Sequence, residues 1–113
     1  MQIPLQITIR DFSHSPALSS RIREKAEKLQ DLHPGIVSCR VTVEELGKHQ
    51  RHGHHFRARV DVRIPGKELV AHHEDEDAFA ALREAFDSVR RQLEEAARPT
   101  RREIKARSPV GSA

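Results

Sequence analysis

Five apolar side chains, Phe79, Leu82, Phe86, Val89 and Leu93, recur at spacings of three and four within residues 77–97. At 3.6 residues per turn that spacing lines them along one side of a helix, and a one-sided apolar helix has to be covered by another layer. The stripe holds two of the four Phe in a chain with no Trp or Tyr, so this helix makes the main aromatic contribution to the core. Asp75 or Asp77 supplies a short carboxylate to cap its first turn, and Pro99 marks where it stops. The opposite side carries Arg83, Arg90 and Arg91 beside Glu84, Asp87, Glu94 and Glu95.

The covering layer is written upstream as alternation, the period of a half-buried strand. Within residues 3–10, Ile3, Leu5, Ile7 and Ile9 fall on one side and Gln6, Thr8 and Arg10 on the other. Pro4 suits an edge strand or a start still outside the ladder. Val37, Cys39, Val41 and Val43 alternate with Ser38, Arg40, Thr42 and Glu44. Phe56, Ala58, Val60, Val62 and Ile64 alternate with Arg57, Arg59, Asp61 and Arg63. Pro65-Gly66 signals a turn and places a fourth short strand at residues 67–72, after which His72 to Asp77 reads as a solvated run into the helix. Between the first two strands, Ser15-Pro16 starts a helix whose stripe is Leu18, Ile22, Ala26, Leu29 and Leu32, ended by His33-Pro34-Gly35.

The order β-α-β-β-β-α predicts an α+β two-layer sandwich. A four-stranded sheet, its three later strands antiparallel, packs both helices on its one apolar face and leaves the other face to solvent. With 113 residues there is room for one core: residues 1–97 form the domain. Residues 98–113 carry Arg98, Arg101, Arg102, Lys105 and Arg107 without apolar period and read as a flexible basic tail.

Several chemistries find no support. The single Cys39 excludes an internal disulfide framework and lies on the inward side of its strand, as a small buried hydrophobe does. Neither a Gly-rich phosphate loop, an HExxH nor a nucleophile with a base is present, so the protein reads as non-enzymatic, with no cofactor. His49, His52, His54 and His55 cluster before the third strand and are the one metal candidate, but neither carboxylate nor Cys lies among them, and a solvated loop is the plainer reading. No leader pattern or membrane-length apolar run occurs, which predicts a cytoplasmic protein.

The basic residues are placed. Arg21, Lys25 and Lys28 share one face of the first helix; Arg83 and Arg90 lie two turns apart on the second, with Arg91 adjoining. Side-by-side helices would merge them into a band able to neutralise phosphates, although Glu24, Glu27 and Asp31 could equally pair with the first three as an ordinary solvated face. Net charge is +3, a mild bias that permits a nucleic-acid partner without requiring one. Arg10, Arg40, Arg57, Arg59 and Arg63 form a possible second patch on the open sheet face, with no aromatic among them for base stacking.

Taken in order, SPAL at residues 15–18, IREKAEKL at 22–29, VTVEE, RVDVRIPGKELVA and HEDEDAFAALREAFDSVRRQL resemble one known family. It is the ribosome hibernation-promoting factor and ribosome-associated inhibitor family, long labelled sigma-54 modulation proteins, and the match runs over roughly residues 3–97. The resemblance implies a fold like that of double-stranded-RNA-binding domains and a place in the decoding channel of the small ribosomal subunit. There such proteins block mRNA and tRNA under stress or in stationary phase. It also implies rRNA contacts from Lys25, Lys28 and Arg91, to which the helix geometry adds Arg21, Arg83 and Arg90. Two departures stand out: Ser88 replaces a Lys that members often carry, and Glu94, Glu95, Ala96 and Ala97 replace a basic continuation. The chain resembles the short form, without the C-terminal dimerisation domain of long members, so a monomer or weak dimer is expected. The alternative is a non-ribosomal protein-interaction or self-associating module that kept the fold, favoured by Glu94 and Glu95 and by an exposed sheet edge.

Overall fold

The computed structural model describes residues 4–11, 13, 15–46 and 55–97. Its elements are β1 (Leu5–Arg10), α1 (Pro16–Leu32), β2 (Ser38–Leu46), β3 (His55–Ile64), β4 (Lys67–Asp75) and α2 (Ala78–Ala97). The strands form one sheet in the order β1-β2-β3-β4, with β1 parallel to β2 and the other pairs antiparallel. This is the expected α+β architecture, and the first strand joins at an edge. Pro4 sits where its missing N–H does no harm, and its carbonyl accepts from the Cys39 N–H at 3.0 Å.

Local chemistry sets the boundaries. Ser15 caps α1, its hydroxyl accepting from the Leu18 N–H at 3.2 Å, with Pro16 at the first helical position. Asp77 caps α2, its carboxylate accepting from the Phe79 N–H at 3.0 Å. Asp75 holds the turn before it, accepting from the Asp77 N–H at 2.9 Å. Gly66 takes φ 77° in the β3–β4 turn, a left-handed value that glycine supplies without strain.

The core is built in rows across the strands. Cys39, Val62 and Leu69 align, as do Val41, Val60 and Ala71, and then Val43 and Ala58. Above them α2 packs over β3 and β4 through Leu82, Phe86, Val89 and Leu93, while fully buried Ala81 and Ala85 let its backbone approach closely. Leu18, Ile22, Ala26 and Leu29 of α1 complete the layer beside α2 and over β1. Each large side chain so removed from water contributes about 1.5–3 kcal/mol before ordering costs.

Four expectations need correction. Leu32 is 62% exposed at the last residue of α1, whereas Ile36, in the connection that follows, is buried at 4%. Val37 is 48% exposed: it precedes the β2 ladder at the rim, its N–H donating to the Arg63 carbonyl at 2.7 Å. Phe79 is 37% exposed, since the first turn of α2 is seated by Ala78 and Ala81 instead. Finally, β4 runs to Asp75 rather than ending at His72. Its last helix-side residues, His73 and Asp75, are polar and hydrogen-bond to α2 or its lead-in, so no apolar alternation betrays the strand. Glu45, on the core side of β2, is also buried. Ile3, the metal candidates His49, His52 and His54, Pro99 and the tail lie outside the described residues.

The sheet's two edges, β1 and β4, differ. Gln92 of α2 donates its amide to the Val70 carbonyl at 2.9 Å, occupying an outward backbone acceptor of β4.

Candidate nucleic-acid interface

The helices lie side by side and run in the same direction. Arg21 of α1 sits over the Phe79 ring of α2, 5.8 Å from its centroid. One turn further along both, Lys25 lies within electrostatic reach of Arg83 and Asp87. Burial pushes the Lys25 ammonium below its ordinary value; Asp87 opposes this, and Arg21, Lys28 and Arg83 push it further down. A lysine that feels three other cations defines their neighbourhood: Arg21, Lys25, Lys28 and Arg83 form one cluster drawn from both helices. Phe79, too exposed to anchor the core, is the platform that sets Arg21 across the gap.

Carboxylates offset part of this charge. Arg21 lies 3.6 Å from Glu24, and Arg83 lies 3.9 Å from Glu84, both exposed and weak pairs. Lys28 is exposed and has no ion-pair partner among the described residues. Arg90 shares the line of Arg83 two turns on, but holds Glu94 at 3.0 Å. Arg91 turns the other way, its guanidinium 3.5 Å from the Ser88 hydroxyl, which also meets Nε2 of His73 on β4 at 3.0 Å. The six basic residues singled out in the sequence therefore divide into a cluster of four, a neutralised Arg90 and an Arg91 tied toward β4.

Asp87, Phe79 and His73 are the participants that periodicity missed. Asp87 lies on the cationic side of its helix, four residues from Arg83 and Arg91, and that placement was its one signal.

On the opposite face, register dictates the charges. Arg10, Glu44, Arg57 and Glu74 stand in one row across all the strands, with Thr42, Arg59 and His72 in the next. Arg57 is clamped between Glu74 at 3.0 Å and Glu44 at 3.5 Å. Hydrogen bonding from Arg57, then from His55, holds the Glu74 carboxyl below its ordinary value. His55, the described member of the histidine cluster, has its Nε2 3.1 Å from Glu74. Among the described residues no group of three or more potential ligands could hold a metal ion. Cys39 is buried, and its thiol is pushed up to about 11, first by burial and then by Asp61, which suits packing rather than nucleophilic chemistry. No described helix is long and apolar enough to cross a membrane.

A two-layer domain with one helix-covered sheet face and a cationic cluster shared by parallel helices defines a small α+β module of basic surface. The chain belongs to the family described as sigma 54 modulation protein / S30EA ribosomal protein, whose pattern it matches over residues 5–101. Two of the solved structures that share its fold show the likeness. The Thermus thermophilus Protein Y N-terminal domain aligns with TM-score 0.69 and 22% identity, over 82% of this chain and 98% of that one. A ribosomal subunit interface protein from Coxiella burnetii aligns with TM-score 0.71 and 19% identity, over 83% and 97%. No protein of curated function matches.

Proposed function

We propose that this protein is a non-enzymatic, cytoplasmic ribosome-associated inhibitor that docks its helix face on rRNA of the small subunit. Seated in the decoding channel under stress or in stationary phase, it would occupy the path of mRNA and tRNA. Family membership supports the ribosomal setting. The observation that carries the contact surface is the gathering of Arg21, Lys25, Lys28 and Arg83 across two helices, joined where Arg21 meets the Phe79 ring, with Asp87 the one carboxylate acting on Lys25; a polyanion can neutralise the remaining charge. Phosphate contacts of this kind need no aromatic platform and no pocket. Residues 98–113 would add cations beyond the end of α2.

Co-sedimentation with purified small subunits at low and moderate salt tests the reading. Pelleting that weakens with salt, and is strongly reduced in a folded Lys25→Glu, Lys28→Glu variant, is the expected result. Protein left in the supernatant at both salts overturns it. The interaction-module alternative would then gain from the Arg90–Glu94 pair, which leaves that end of α2 without net positive charge.

A further inference from the structure

We infer that the open face of the sheet is a second, independent RNA-backbone site, formed by Arg10, Arg40 and Arg59 around Thr42. The four residues line a shallow basin of about 540 Å³ on the side away from the helices, which Glu44, Arg57, Asp61 and His72 also line. They come from three adjacent strands. Arg59 is the cross-strand partner of Thr42, Arg40 precedes Thr42 by two residues, and Arg10 pairs with Glu44 two residues beyond it.

What distinguishes this face from an ordinary solvated one is how its carboxylates are engaged. Glu44, the register neighbour of Arg10, is turned to Arg57 at 3.5 Å. Asp61, the register neighbour of Arg40, is taken by Arg59 at 3.4 Å and keeps a side chain only 14% exposed. Arg10 and Arg40 are thereby left exposed with no ion-pair partner among the described residues. Each has lost its natural neighbour to another arginine. The basin's net charge is positive although the face as a whole is nearly balanced.

Spacing selects the partner. Neighbouring strands lie about 4.8 Å apart and alternate residues about 6.7 Å apart, so the three arginine Cα atoms are separated by roughly 8–14 Å. That spread suits successive phosphates of an extended polyanion better than a single small anion. No Phe, Tyr or Trp stands on the described part of this face, so it favours backbone contact over base stacking. Since it points away from the helix cluster, the domain would hold two RNA segments at once, one on each side. The site stands on the sheet geometry alone and does not depend on the helix-face reading.

The test uses a fluorescein-labelled oligouridylate of about 20 nucleotides and fluorescence anisotropy at several salt concentrations. In a Lys25→Glu, Lys28→Glu background, salt-sensitive binding is expected to persist. Adding Arg10→Gln and Arg40→Gln should flatten the slope of log affinity against log salt by about 1.4, about a sevenfold smaller loss between 50 and 200 mM. Lys67→Gln, a cation outside the basin, should leave the slope unchanged. If Arg10→Gln, Arg40→Gln melts early, Arg40→Gln alone, expected to give half the change, replaces it. Equal slopes with and without the two arginines overturn the proposal. So does an arginine-dependent preference for polyglutamate over the RNA, which would assign an acidic protein instead. Absence of ribosomal pelleting by the wild type would undo the helix-face reading without altering this comparison.

Discussion

Replacing Lys25 and Lys28 by glutamine tests whether the inter-helix cluster meets phosphate. Four cations share that cluster, and with the coefficient of B-form DNA taken for a duplex, each neutralised phosphate steepens the dependence of log affinity on log salt by about 0.9. Engagement of all four contributes up to about −3.6 to the slope, a loss of roughly 150-fold between 50 and 200 mM salt. Without the two lysines that contribution falls to about −1.8 and the loss to roughly 12-fold. Arg21 and Arg83 are partly matched by Glu24 and Glu84, and Lys25 by Asp87, so the measured contributions should fall below these limits. Glutamine keeps most of the Lys25 stem, so melting temperature should hold. The assay is a binding titration on small subunits at four salt concentrations. Parallel lines for the wild type and a folded variant would refute phosphate contact at these residues. Lys28→Gln alone, at the exposed position, should account for about half of the change.

Leu82→Ala removes a fully buried side chain from the centre of α2 and should cost about 2–5 kcal/mol, read as a lower urea midpoint with unchanged slope. Leu32→Ala, although on the apolar stripe in the sequence, should stay within about 0.5 kcal/mol of wild type because the residue is exposed. Asp77→Ala should cost about 1 kcal/mol through loss of the α2 cap. The Glu74 carboxyl should titrate below 4.5 by NMR and move back toward it in Arg57→Gln. Its depressed folded value means the stabilising contribution is present above 4.5 and is lost as pH falls through that lower value. Cys39 has the opposite sense: with its thiol raised from 9.0 to about 11, stability should decline as pH rises across that interval. The same thiol should resist alkylation at pH 8 until guanidinium unfolds the chain.

Strand alternation and helix periodicity located all the elements because each buries a single face, and a single buried face imposes its period on the residues. What they could not reach were places where the face runs out. Phe79 and Leu32 obey the helical period but sit in terminal turns, where they stay exposed. His73 and Asp75 occupy strand positions facing α2 without being apolar, because their partners there are a hydroxyl and a backbone amide. The cationic cluster was legible as two separate faces; that they merge depends on the helices running alongside each other. Register was the missing quantity on the open face. Spacing along the chain lists Arg10, Arg40, Arg57 and Arg59 as equals, whereas cross-strand neighbours clamp Arg57 and release Arg10 and Arg40.

The amide of Gln92 on the Val70 carbonyl has a consequence for assembly. A fifth strand approaching β4 would have to displace it, whereas the outward amides of Leu5, Ile7 and Ile9 on β1 meet no comparable side-chain stopper among the described residues. A sheet with one open border and one partly obstructed border favours pairing at β1 over pairing at β4. Two copies pairing β1 to β1 would close about a twofold axis and leave only the obstructed β4 borders for a third.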